Sequence, residues 1–323
     1  KEYFRAKETT TSDKTRLSYA YDLRVFFRFL QETNPTLHDK ALSEISIKDL
    51  SMLKPVDFEE FEEYLKAYKT PDNRTETNSR TGIARKMSCL RSFYDYLCKR
   101  ELLTSNPVRL VDMPKIKEKA IIQLDTDEVA ALLDYIENYG NDLTGVKLYH
   151  YQKQKYRDIA IVTLLLGTGV RVSELVGLNI ADVDFKNNGI RIIRKGGNEM
   201  IVYFGEEVEK ALKDYLELQR NGITPLSGHE DALFLSGQKK RISVDAVEKK
   251  VKKYCSAVSV KTITPHKLRS TYGTALYRET GDIYLVADVL GHADVNTTKK
   301  HYAKLSDERR RSASKAVVLR EKL

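Results

Sequence analysis

Leu290-Gly291-His292-Ala293-Asp294-Val295-Asn296-Thr297-Thr298 leads into His301-Tyr302 near the end of this 323-residue chain. Upstream stand Pro265-His266-Lys267-Leu268-Arg269 and, a hundred residues earlier, Gly167-Thr168-Gly169-Val170-Arg171-Val172-Ser173-Glu174-Leu175. Together the three segments supply two arginines, two histidines and a tyrosine. Metal-free attack on a phosphodiester needs such a set: an in-line nucleophile, cations on the non-bridging oxygens, and a proton for the departing 5′ oxygen. A tyrosine phenol titrates near pH ~10, so Tyr302 as nucleophile needs cationic surroundings or a base. A phenolate is also a stable leaving group, so the strand can be resealed. One of 19 tyrosines packed in a helix is the competing reading, and the neighbours of Tyr302 outweigh it.

Each remaining group has a chemical reason to be there. Arg171 and Arg269 offer planar forks that match two phosphate oxygens and stay charged at any working pH. Stabilisation of developing charge is commonly the largest catalytic contribution. Glu174, three residues after Arg171, can orient it through an ion pair or be a plain surface pair. His266 and His292 can donate to phosphate or exchange a proton near neutral pH. His266 and Arg269 share a helix face at three-residue spacing. Lys195 sits at a glycine-flanked turn, from which it can protonate a 5′ oxygen or simply be solvated. No carboxylate or cysteine at ligand spacing supports a metal site.

The polar run 1–13 reads as a loose lead-in. Helical spacing then follows from Lys14, after Pro55 and over 79–99. The third of these helices presents Arg80, Arg85, Lys86 and Arg91 as an outward basic face. Val111 to Lys119 reads as an exposed linker with little to anchor it. The divisions are a helical domain over 1–113, a linker over 114–121, a second domain over 122–302 and a tail over 303–323. In the second domain an acidic N-cap precedes Val129, a buried helix covers 157–166, and 138–157 has no clear pattern. Ile190–Arg194 and Met200–Phe204 flank Lys195-Gly196-Gly197-Asn198 as a β-hairpin. Helices follow at 206–220, 243–257, 266–280, 282–290 and about 294–302. The fold class is mainly α with a small β-sheet.

Lys+Arg exceed Asp+Glu by 55 − 46 = 9, which favours a polyanionic partner. The basic residues cluster at Lys239, Lys240 and Arg241, at Lys249 to Lys253, and around Tyr302. Cys89, Cys98 and Cys255 are too scattered for a disulfide framework and suit free thiols in a reducing cytoplasm. No apolar run reaches the ~20 residues of a membrane span, and no signal peptide opens the chain.

These residues and their order resemble the tyrosine recombinases, or phage-integrase family, and within it the Xer-like and mobile-element integrases. The resemblance spans nearly the whole chain. It implies a core-binding domain and a catalytic domain closed as a C-shaped clamp on duplex DNA. It implies that Arg171 and Arg269 bind the scissile phosphate, Lys195 is the general acid, His266 and His292 assist, and Tyr302 forms a 3′-phosphotyrosyl link. It further implies a homotetramer on two specific sites, with the tail docking on a neighbour, an accessory or excision factor, no cofactor and a cytoplasmic setting. One departure is Ser270, where the family often has His. The biological role stays open between a mobile-element integrase and Xer-type resolution; an N-terminal arm-binding domain could precede Lys1. A type IB topoisomerase-like enzyme and a catalytically silent DNA-binding protein are the competing functions.

Overall fold

The computed structural model describes residues 1–38, 40–116, 122–194 and 197–292, together with 295, 298 and 299. The chain divides into two compact units, Lys1–Lys119 and Ala120–Leu323.

The first unit is a helical bundle: α1 (Glu2–Ala6), α2 (Asp13–Thr33), α3 (Ile47–Ser51), α4 (Pro55–Tyr64) and α5 (Arg80–Lys99). Ser12 and Ser79 start α2 and α5 by accepting from Thr15 N and Gly82 N, bonds that satisfy otherwise orphaned donors of the first turn. Pro55 opens α4, where its missing N–H costs nothing. The apolar stripes meet in an aromatic core. Phe26 lies edge-on to Phe61 at 5.1 Å, and Phe58 lies edge-on to Tyr94 at 5.3 Å.

Three sequence expectations are corrected here, and one further element is added. The lead-in contains α1, which buries Tyr3 against Phe93 and Tyr96. A hairpin, β1 (Ala67–Lys69) with β2 (Thr75–Thr77), closes through the Thr70–Asn73 turn. Val111 is buried and Met113 half-buried on this unit's core, so the stretch after Pro107 is anchored well past the helices. Of the outward basic face, Arg80 and Arg85 are exposed and Lys86 and Arg91 half-buried, and three of the four have partners within the unit. Arg91 donates to the carbonyls of Val108 (3.1 Å) and Val111 (2.5 Å), Lys86 to Asn78 (2.7 Å), and Arg85 forks onto the buried Asp22. Only Arg80, with a 3.5 Å contact to Lys115 O, is mainly exposed without an ion pair.

The second unit is built around α8 (Lys155–Thr168). Before it come α6 (Thr126–Asn138) and α7 (Gly145–Gln152), the latter within the stretch that had no readable pattern. After it come α9 (Val172–Gly177), a three-stranded antiparallel sheet of β3 (Val183–Asp184), β4 (Gly189–Ile193) and β5 (Glu199–Tyr203), and then α10 (Glu206–Leu218), α11 (Val244–Val258), α12 (Pro265–Thr280) and α13 (Ile283–Leu290). Helix α8 is apolar nearly all round, with Ala160, Ile161, Val162, Leu164 and Leu165 buried. Such a helix belongs at the centre, and α6, α10 and α12 pack around it. Its polar start is matched internally: Asp158, 1% exposed, accepts from Arg157, Lys250 (2.8 Å) and Tyr254 (2.5 Å). The β4–β5 register pairs Ile190 with Val202 and Ile192 with Met200, which puts the even-numbered β4 residues on the core face. The helix expected at 294–302 lies mostly outside the described residues, as does the tail.

Candidate active site

The site forms where three helix ends meet. Helix α8 stops at Thr168, and Gly169 continues in the left-handed region (φ 64°). A Cβ at Gly169 would stand 2.4 Å from Tyr272 Cδ1, so glycine is required both for the conformation and for the space. The turn delivers Arg171 to the N-cap position of α9. Helix α13 stops at Leu290, and Gly291 is again left-handed (φ 59°). Gly291 N donates to Asp288 O (2.8 Å) and His292 N to Ala287 O (2.9 Å), the two-bond Schellman closure that reverses the chain and sets out His292.

Glu174 orients Arg171. Its side chain, 4% exposed, accepts from the backbone N of Arg171 (2.7 Å) and from Nη1 (2.8 Å). A carboxylate buried this far holds the guanidinium while also capping α9. Arg171 Nη2 then donates to Gly291 O at 3.0 Å, and the side chain remains 37% exposed, open to a ligand. Arg269, from the first turns of α12, is buried. Its Nη1 donates to Gly169 O and its Nη2 to Leu290 O, which joins the ends of α8 and α13. His266, one turn earlier on α12, is exposed. His292 Nδ1 bonds Thr298 Oγ1 at 2.7 Å, and Thr298 is buried.

Arg171, Glu174, Arg269 and His292 are thus brought around one helix end, with His266 on the same α12 turn as Arg269. Lys195 and Tyr302 lie outside the described residues. Among the described neighbours of Lys195, Arg194 N donates to Asn198 O (2.8 Å) and Gly197 N to Arg194 O (3.0 Å). Among the described residues no cluster of three His, Cys, Asp or Glu could hold a metal. Of the second basic group, Arg241 is committed inward, to the carbonyls of Val176 and Leu178 and to Asn179 Oδ1. Lys239 and Lys240 are exposed on a tight turn, Lys239 at φ 60°.

Two residues escaped the sequence reading. Tyr272 seals Gly169, and burial pushes its phenol upward from the ordinary value. Arg194 continues the inward phase of Ile190 and Ile192, and an arginine in that phase was the available signal. Its Nη1 and Nη2 donate to Asp288 O (3.2 Å) and Val289 O (2.7 Å).

The phage integrase family model matches residues 123–309, and the SAM-like N-terminal domain of phage integrases matches 2–101. The chain belongs to the phage integrase family, the tyrosine recombinases. Tyrosine recombinase XerC of Caldanaerobacter subterraneus subsp. tengcongensis is 35% identical over 311 residues, covering 94% of this chain and 81% of that one. Tyrosine recombinase XerS of Streptococcus thermophilus is 32% identical over 331 residues, covering 96% and 92%. Among solved structures, the Tn1549 transposon integrase in complex with circular-intermediate DNA shares the fold at a TM-score of 0.65 and 22% identity, over 93% of this chain and 94% of that one. XerH bound to its palindromic difH substrate does so at 0.67 and 20%, over 88% and 75%. The activity is site-specific recombination, the enzymatic cutting and rejoining of DNA. No described helix is long and apolar enough to cross a membrane.

Proposed function

We propose that Tyr302 attacks the scissile phosphate of a specific duplex site, forming a 3′-phosphotyrosyl link that conserves the bond energy until a second 5′ hydroxyl reseals the strand. Arg171 and Arg269 neutralise the non-bridging oxygens, His266 and His292 donate to them and pass protons, and Lys195 protonates the leaving 5′ oxygen. The observation that carries this reading is the gathering of Arg171, Arg269 and His292 at the end of α13, with Glu174 aiming the exposed guanidinium. Residues 1–113 serve as the core-binding domain and 122–302 as the catalytic one. Both bind duplex DNA, and Arg80, Arg85, Lys239 and Lys240 are the basic residues of the notional interface that remain exposed, Arg85 while paired with Asp22.

Four protomers act on two sites in the cytoplasm, linked by their tails and assisted by an accessory or excision factor. Relatives named XerC and XerS favour an Xer-type role; precise excision of a flanking element in cells would instead favour the mobile-element role. Because most contacts go to phosphate, affinity falls steeply with salt. The test is a pair of variants on labelled duplex. Arg171→Ala loses cleavage far more than binding, and Lys195→Ala recovers when a 5′-bridging sulfur replaces the oxygen. Equal loss of binding and cleavage in the first, or no recovery in the second, overturns the role concerned.

A further inference from the structure

The end of α13 poses a bonding problem. A helix leaves its last four carbonyls without intrahelical partners. The Schellman closure satisfies those of Ala287 and Asp288 through His292 N and Gly291 N. Those of Val289 and Leu290 remain, as does that of Gly291 beyond the cap. Each is taken by a different arginine: Val289 O by Arg194 Nη2 (2.7 Å), Leu290 O by Arg269 Nη2 and Gly291 O by Arg171 Nη2 (3.0 Å). Arg194 also doubles the bond on Asp288 O.

Three guanidiniums on one helix C-terminus is the favourable arrangement for its dipole, yet two of them have a separate task at the phosphate and Arg194 does not. Arg194 directly follows β4 and is packed onto Gly291 so closely that a Cβ there would meet its Nη1 at 1.7 Å and its Cζ at 2.2 Å. Gly291 therefore serves the guanidinium as well as the turn. Burial also lowers the Arg194 pKa from its ordinary value, the mark of a cation removed from water, and its Nε has no partner among the described residues. A guanidinium held this way fixes the helix end it is bonded to, because releasing it leaves the part-buried carbonyl of Val289 without its partner.

We infer that Arg194 is a positioning residue for the arginine pair. By holding Asp288 O and Val289 O against the sheet, it fixes the α13 terminus, whose next two carbonyls set Arg269 and Arg171 and whose next residue is His292. The inference rests on the reading of Arg171 and Arg269 as the phosphate clamp.

The experiment compares the full-length protein with Arg194→Ala, Arg194→Lys, Arg171→Ala and Lys195→Ala. The substrates are three labelled duplexes bearing the site that covalent trapping locates. One carries the ordinary scissile phosphate, one a methylphosphonate, which has no charge to neutralise, and one a 5′-bridging sulfur, which needs no acid. Misplacing the clamp slows adduct formation by Arg194→Ala on the ordinary phosphate on the order of a hundredfold. On the methylphosphonate the deficit shrinks about tenfold, as for Arg171→Ala, because charge stabilisation is what was lost. The sulfur does not relieve it. Arg194→Lys, which keeps the charge without the fork, falls between, and carries the same comparison if Arg194→Ala melts too low to assay. Ordinary rates for Arg194→Ala overturn the inference, and so does an equal deficit on all three duplexes, the sign of a merely structural role. Relief by sulfur alone overturns it too, since that places Arg194 on the leaving-group side with Lys195. If Arg171→Ala itself gains nothing from the methylphosphonate, the clamp reading beneath the inference fails, and the inference fails with it.

Discussion

Replacing Glu174 with alanine separates the orientation of Arg171 from its charge. The carboxylate is 4% exposed and accepts two bonds, one from the Arg171 backbone N and one from Nη1. The first closes the N-terminus of α9, and losing such a cap costs about 1 kcal/mol. The second is charge-assisted, of order ~1.5–3 kcal/mol when fully formed. The guanidinium is 37% exposed, so water recovers roughly half of that. The sum is about 2 kcal/mol, which for a unit of this size lowers Tm by roughly 4–8 °C. Cleavage falls further than stability requires, because an unaimed fork displaced by about 1 Å costs on the order of a hundredfold. Glu174→Gln can satisfy only one of the two donors; it recovers about half the stability but keeps most of the cleavage defect. The assay is thermal unfolding beside single-turnover adduct formation at saturating DNA. A variant that loses the 4–8 °C and cleaves at the normal rate would reduce Glu174 to a helix cap and refute the reasoning.

Two further outcomes follow from buried charge. Asp158→Ala strands Arg157 and Lys250 at the start of α8 and destabilises the second unit by roughly 3–5 kcal/mol; an unchanged melt would show that water replaces the carboxylate. Burial pushes the Cys89 thiol from 9.0 up to about 12, so the folded state holds its proton after the unfolded chain has lost it. Stability is then full below about pH 9 and is lost as pH rises towards 12. A urea midpoint that stays flat across that window contradicts the burial.

Much of this was legible because local and tertiary demands coincide. Apolar spacing and capping residues mark α2, α4, α5, α6 and α10 to α13 to within a few residues, since the same positions make the helix and face the core. The glycine turns before Arg171 and His292 were readable for a related reason: left-handed ends recur where a helix must stop and present a side chain. What failed depended on partners far along the chain. Arg91 and Arg241 look like plain surface cations in sequence, yet carbonyls 17 to 65 residues away claim them. Tyr3 reads as part of a polar lead-in until Phe93 and Tyr96 supply its pocket. Arg194 hides as one more basic residue beside a turn, although its strand phase points inward.

The central claim is the covalent link through Tyr302. It is tested most directly by incubating the protein with labelled duplex fragments from its host locus in EDTA and running a denaturing gel. The account predicts a protein-linked band that survives without metal and is absent in Tyr302→Phe, which still binds the duplex. An adduct formed by Tyr302→Phe, or none from the unaltered protein on a fragment it binds tightly, would contradict it.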